Sequence, residues 1–107
     1  MNRVKFEVED RAGRKVRLRE DVYERHLEKH PEMADYLEEA QTAIRDPEWE
    51  LDDAGTTCYV RLGLGKGKFE KLFLKIPVYY AGGVGEVATF YFTPGVGRGD
   101  VVWKKEN

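Results

Sequence analysis

A single cysteine, Cys58, is all the chain offers for sulfur chemistry, so no internal disulfide can form, in keeping with a reducing, cytoplasmic setting. No apolar run approaches the roughly 20 residues of a membrane-spanning helix, and the reading assigns no membrane partner. A signal-peptide core is also missing: Arg3, Lys5 and Glu7 interrupt the apolar residues near the amino terminus and are read as part of the folded domain. Internal repeats and low-complexity segments are absent. What remains is the composition of a soluble globular protein, 41% hydrophobic and 36% charged. At 107 residues the chain can bury one core without staples, so residues 1–107 are read as one domain.

The net charge of −2 is unevenly spread. Residues 1–19 carry seven Lys/Arg against three Asp/Glu, residues 20–53 three against thirteen, and residues 54–107 eight against four. An acidic middle beside basic flanks can orient a polyanion onto the basic part. The same segregation also arises on an ordinary solvated surface.

Val4, Phe6 and Val8 alternate with charged residues, and Val16 and Leu18 repeat the pattern after the Asp10–Gly13 turn, which predicts an N-terminal β-hairpin. Asp21 reads as a helix cap, with Glu24 three residues on completing a capping-box pattern. Pro31 stops this helix and suits the first turn of a second, along which Met33, Leu37, Ala40 and Ile44 form an apolar stripe. Asp46-Pro47 ends it, giving a helix–corner–helix unit from Asp21 to Arg45. Everything later reads as strands. Cys58, Val60, Leu62 and Leu64 are expected to share a core face with Leu72, Leu74, Ile76, Val78, Ala88, Phe90 and Phe92. The predicted class is α+β: two helices on one face of an antiparallel β-sheet meander, with the N-terminal hairpin.

Period-2 alternation places Tyr59, Arg61, Lys71, Phe73, Lys75, Thr89, Tyr91 and Thr93 on the other face, with Val87 beside them. Cations interleaved with rings and hydroxyls suit single-stranded nucleic acid, where cations hold phosphates and rings stack bases. The same residues are also ordinary occupants of a solvent-facing sheet.

Both histidines fall in Arg25-His26-Leu27-Glu28-Lys29-His30-Pro31-Glu32. Their i, i+4 spacing suits a metal, but a site needs three or four ligands, and no third histidine or second cysteine exists. His30 at the corner reads as a structural cap, and His26 as a packed residue or a proton-transfer group. Gly63–Lys68 lacks the phosphate-loop spacing and its Lys-Ser/Thr ending, and Gly95–Asp100 reads as a hairpin loop in which Arg98 can reach a phosphate. Cys58 is expected in the core as an inert thiol.

The stretch Arg25–Glu32, followed by Ile44-Arg45-Asp46-Pro47, the Leu72–Val78 strand, Val87-Ala88-Thr89-Phe90-Tyr91 and Val102-Trp103, resembles the phage-associated members of the Barnase–EndoU–colicin–RelE-like (BECR-fold) nuclease superfamily. The resemblance spans roughly Val16 to Trp103. It implies two helices on an antiparallel sheet and a metal-independent ribonuclease site made of a helical histidine and polar strand residues. Carried onto this chain, those are His26 or His30, Lys75, Thr89 and Tyr91. In that reading His26 is the base, His30 its orienter or the acid, and Lys75 and Arg61 stabilise phosphate. Thr89 and Tyr91 position substrate, while Tyr59, Arg61, Phe73 and Thr93 bind it. The implied activity is cleavage of single-stranded RNA or tRNA by the 2′-hydroxyl, toxin-like, with no cofactor and with an antitoxin or immunity protein left open as partner. The alternative is a catalytically silent module that binds RNA or protein through the same sheet face.

Overall fold

The computed structural model describes residues 3–106. Strands β1 (Val4–Glu9) and β2 (Lys15–Arg19) form the expected hairpin, with Phe6 opposite Leu18 and Val8 opposite Val16. Directly opposed residues share a face, so these four side chains enter the core together. Helix α1 (Glu20–Lys29) follows β2 without a linker. The Asp21 cap and the capping box with Glu24 do not form. Arg19 holds the cap position, the Glu20 N–H donates to the Arg3 carbonyl at 2.8 Å, and Asp21 instead accepts from the Arg19 guanidinium at 2.7 Å. The residue leading into β1, paired beside β2, supplies the acceptor that a cap side chain would otherwise provide.

After the corner at His30, Pro31–Tyr36 winds as a 3₁₀-helix and continues into α2 (Leu37–Arg45). Met33, Ala40 and Ile44 are buried as the stripe predicts, joined by Tyr36 and Ala43, while Leu37 is half-buried.

Strands β3 (Trp49–Asp53), β4 (Thr56–Leu62), β5 (Phe73–Ala81), β6 (Val84–Val87), β7 (Tyr91–Thr93) and β8 (Asp100–Lys104) complete an eight-stranded sheet. Its order is β1-β2-β6-β5-β4-β3-β8, with β7 pairing β5 beside β6. All pairings are antiparallel except β2 with β6, so the class is α+β with a meander at its centre. The β5–β6 turn is Gly82-Gly83, both at positive φ (60° and 81°), a conformation that fits the right-handed twist of a tight hairpin. Among the described residues no helix is long and apolar enough to cross a membrane.

The register corrects the expected faces of β4. Tyr59 pairs Ile76 and Arg61 pairs Leu74, whereas Cys58 lies opposite Pro77, Val60 opposite Lys75 and Leu62 opposite Phe73. Tyr59, not Cys58 or Val60, therefore joins Leu74, Ile76, Val78 and Phe90 under the helices. Leu51, Cys58 and Val60 form a second small cluster on the opposite face with Trp49, Phe73 and Val96. Both faces of the central strands are apolar, so alternation alone cannot say which belongs to the helices. Leu62 is exposed, as is Ala88, and Leu72 and Phe92 are only half-buried. Val87, expected to face away, is buried in the main core.

Leu74 is fully buried at the centre of the main core. Leu74→Ala should therefore lower unfolding free energy by about 2–5 kcal/mol in urea titrations, while Val102→Ala on the exposed β8 should change it by less than about 0.5 kcal/mol.

Candidate functional site

Between β6 and β7 the chain leaves the sheet at Ala88–Phe90, although the Ala88 N–H still donates to the Pro77 carbonyl at 3.0 Å. This break turns Thr89 toward α1. There its hydroxyl shares a 3.1 Å hydrogen bond with His26 Nδ1. The His26 ring also lies 4.7 Å from the Phe90 ring and 5.1 Å from that of His30. Only 9% of His26 is exposed. Burial pushes its pKa below the ordinary 6.5 against the Phe90 backbone, the next largest effect, with His30 lowering it further and Glu32 opposing. His26 is thus a neutral imidazole near pH 7, able to accept a proton.

His26 sits in the wall of a cleft of about 550 Å³ between α1 and the β5–β6 hairpin. Arg25 and Lys29 supply cations from α1, and Tyr79 and Glu86 approach from the strands, where they are cross-strand partners. Tyr79 is 59% exposed, a ring free to stack. Glu86 Oε1 accepts from Arg17 Nε at 2.8 Å across the parallel β2–β6 pair, which leaves Oε2 over. Among the described residues only two buried side-chain nitrogen or oxygen atoms lack a hydrogen-bond partner: His26 Nε2 and Glu86 Oε2. Both residues line this one cleft.

Of the residues singled out from the sequence, His26, His30 and Thr89 come together. His30 is half-exposed at the corner, with Nδ1 3.9 Å from Glu32 Oε2. The others do not join them. Lys75 and Tyr91 are cross-strand neighbours on the sheet face turned away from the helices, and Phe73 and Thr93 form the next pair along it. Far from facing solvent, Lys75 is only 4% exposed. Burial raises the pKa of the Tyr91 hydroxyl, with Cys58 and Asp53 reinforcing it. Tyr59 is fully buried in the main core, where its hydroxyl bonds the Tyr80 hydroxyl beside Asp10. Arg61 is held at the end of α2 by Asp46, donating to its carboxylate at 2.7 Å and its carbonyl at 2.8 Å. The expected polar face is therefore divided by the sheet. Thr89 lies outside the strand, so its alternation with Tyr91 does not carry through.

Arg25 and Lys29 stood inside the histidine stretch all along. Tyr79 and Glu86 had no local signal, because only the β5–β6 register and the crossing of α1 bring them to the cleft. Among the described residues no three His, Cys, Asp or Glu side chains gather as a metal-ligand set.

A pH effect follows from the burial of His26. Because its folded pKa is lowered, the unfolded chain binds more protons just below 6.5, so stability is lost as the pH falls through that window. Urea midpoints taken from about pH 7.5 to about pH 5.5 should show this loss, and His26→Gln should flatten it relative to the wild type. An identical slope in the variant would mean that folding does not alter His26 titration. Comparison of the chain with protein-family models, with curated protein sequences and with solved structures finds no match.

Proposed function

We propose that the protein is a metal-independent endoribonuclease that cleaves single-stranded RNA or tRNA in the cleft between α1 and the β5–β6 hairpin. The observation that carries this reading is the coincidence of the two orphaned atoms, His26 Nε2 and Glu86 Oε2, at one cleft bordered by cations. Buried polar atoms are almost always satisfied, so two exceptions at one cleft call for a partner from outside the protein, which a substrate can supply. Both atoms lie beneath the cleft surface, so engaging substrate requires its wall to open around them.

In the proposed reaction neutral His26 takes the proton of a ribose 2′-hydroxyl, and the 2′-oxygen attacks the adjacent phosphorus. The bond to the 5′-oxygen breaks, and His30 returns a proton to that oxygen. Products are a 2′,3′-cyclic phosphate and a 5′-hydroxyl. Arg25 and Lys29 stabilise the charged phosphorane, the Thr89 hydroxyl holds the His26 ring, and Glu86 Oε2 accepts from a substrate hydroxyl. Tyr79 offers a stacking surface to an unpaired base. Lys75, Tyr91, Phe73 and Thr93 take no part in this step, because they occupy the other face of the sheet. The reading keeps a cytoplasmic RNA as substrate and an inhibitory antitoxin or immunity protein as a partner that would cover the cleft.

The test is cleavage of single-stranded RNA and tRNA in excess EDTA, with end-group analysis. Cyclic phosphate ends are expected, DNA should stay intact, and His26→Ala should slow cutting by about 10²–10⁴-fold. Glu86→Gln should raise KM more than it lowers kcat. RNA bound but left whole would favour the silent binding module. Cutting that EDTA abolishes and zinc or manganese restores would return the histidines to a metal role.

A further inference from the structure

Among the described residues Lys75 is a buried cation with no carboxylate at ion-pair distance. It projects from the middle of β5 between Val60 and Tyr91, away from the helices, and is 4% exposed. Its ammonium donates one hydrogen bond, to the Arg98 carbonyl at 3.1 Å. An ammonium carries three donors, so two remain without a described partner. A cation held this way costs stability unless something anionic meets it.

The covering segment, Pro94–Gly99, is shaped around the same atom. A Cβ at Gly97 would stand 2.7 Å from Lys75 Nζ, and Gly97 and Gly99 both adopt positive φ (77° and 117°). The positive φ at 97 calls for glycine, and the loop backbone there lies against the Lys75 ammonium. Val96 is the loop's anchor, packed on the Leu51–Cys58–Val60 cluster, and Arg98 brings a second, exposed cation.

We propose that Lys75 and the Pro94–Gly99 loop form a phosphate-binding site on the sheet face opposite the helices, separate from the His26 cleft and independent of the ribonuclease reading. The phosphate takes the place of the Arg98 carbonyl on Lys75 Nζ as the loop swings outward, and Arg98 closes over it with its guanidinium. A doubly charged phosphate then brings a counter-charge and has acceptors for the three ammonium protons. Free phosphate and the phosphate of a mononucleotide present the same group, and the two are told apart by running both.

The experiment is a backbone-amide NMR titration with inorganic phosphate and, in a parallel arm, a mononucleotide, together with melting curves. Wild-type protein should gain thermal stability with phosphate and show shifts at the Gly95, Gly97 and Gly99 amides. Lys75→Met should melt at least as high as the wild type in phosphate-free buffer and bind phosphate about 10–100-fold more weakly, the worth of a charge-assisted hydrogen bond. Arg98→Gln, a surface change that leaves the core intact, should weaken binding with an unchanged melting point in phosphate-free buffer. Lys75-dependent binding that is tighter for the mononucleotide assigns the site to a nucleotide, and equal binding assigns it to free phosphate. Shifts confined to residues 25–29, no response to either ligand, or undiminished binding by Lys75→Met would each overturn the proposal. So would a large loss of stability in Lys75→Met combined with unaltered binding by Arg98→Gln, because Lys75 would then be a tie between strand and loop. RNA cleavage is read separately, so either idea can fail without the other.

Discussion

Four donors converge on the buried carboxylate of Asp10: the Ala12 and Arg14 amides on Oδ1, and Arg14 Nε and the Tyr80 hydroxyl on Oδ2, while the Tyr59 hydroxyl, 3.2 Å from Oδ2, gives its one proton to the Tyr80 oxygen. Burial alone would raise the Asp10 pKa, but the hydrogen bonds from Arg14 and Tyr80 outweigh it and hold the group below the usual carboxylate range. The tyrosines respond in the opposite sense. Burial pushes Tyr80 up to about 12 and Tyr59 further still, so both remain neutral donors. The Arg14 guanidinium covers the Tyr80 ring at 3.8 Å, and Arg11, one residue beyond Asp10, pairs with Glu50 on β3 and lies 4.0 Å from the Trp103 ring on β8. The hairpin tip is thereby fastened across the curled sheet.

That fastening has consequences for the cleft. It holds the hairpin so that β2 runs parallel to β6, and the pairing of Arg17 with Glu86 depends on that neighbourhood. Helix α1 leaves the end of β2 and crosses the same strand, which carries His26 to Thr89. The contrast in satisfaction is instructive. Asp10 is a buried acid with every acceptor used, the signature of a structural hub. His26 and Glu86 each keep one buried atom unused, and they do so at the same concavity. Lys75 is a third case, a cation with one carbonyl for company under a glycine-rich loop.

Much of the framework was legible in the chain. The hairpin followed from Phe6, Val8, Val16 and Leu18, and the second helix from Met33, Ala40 and Ile44, because a period of two or of 3.6 on a one-sided element is unambiguous. His26 could be marked for attention because histidine is rare here and chemically versatile. The strand Trp49–Asp53 was covered only by the general reading of strands after Pro47, with no pattern of its own. Its acidic residues have low strand propensity, and it forms because β4 and β8 flank it.

Helix and hairpin positions, the α+β class and the burial of Leu74 were thus settled by local pattern, since each depends on neighbours a few residues away. Which face of β4 meets the helices could not be read that way, because both faces of the central strands are apolar and a shift of one residue exchanges them. The pairing of Tyr59 with Ile76 decided it, once Tyr80 had satisfied the Tyr59 hydroxyl. The same holds for the polar residues. Thr89 and Tyr91 stand two apart in the chain, yet the break at Ala88–Phe90 sends one to His26 and the other to Lys75. Alternation describes a continuous strand, and only three-dimensional pairing reveals where a strand stops being one.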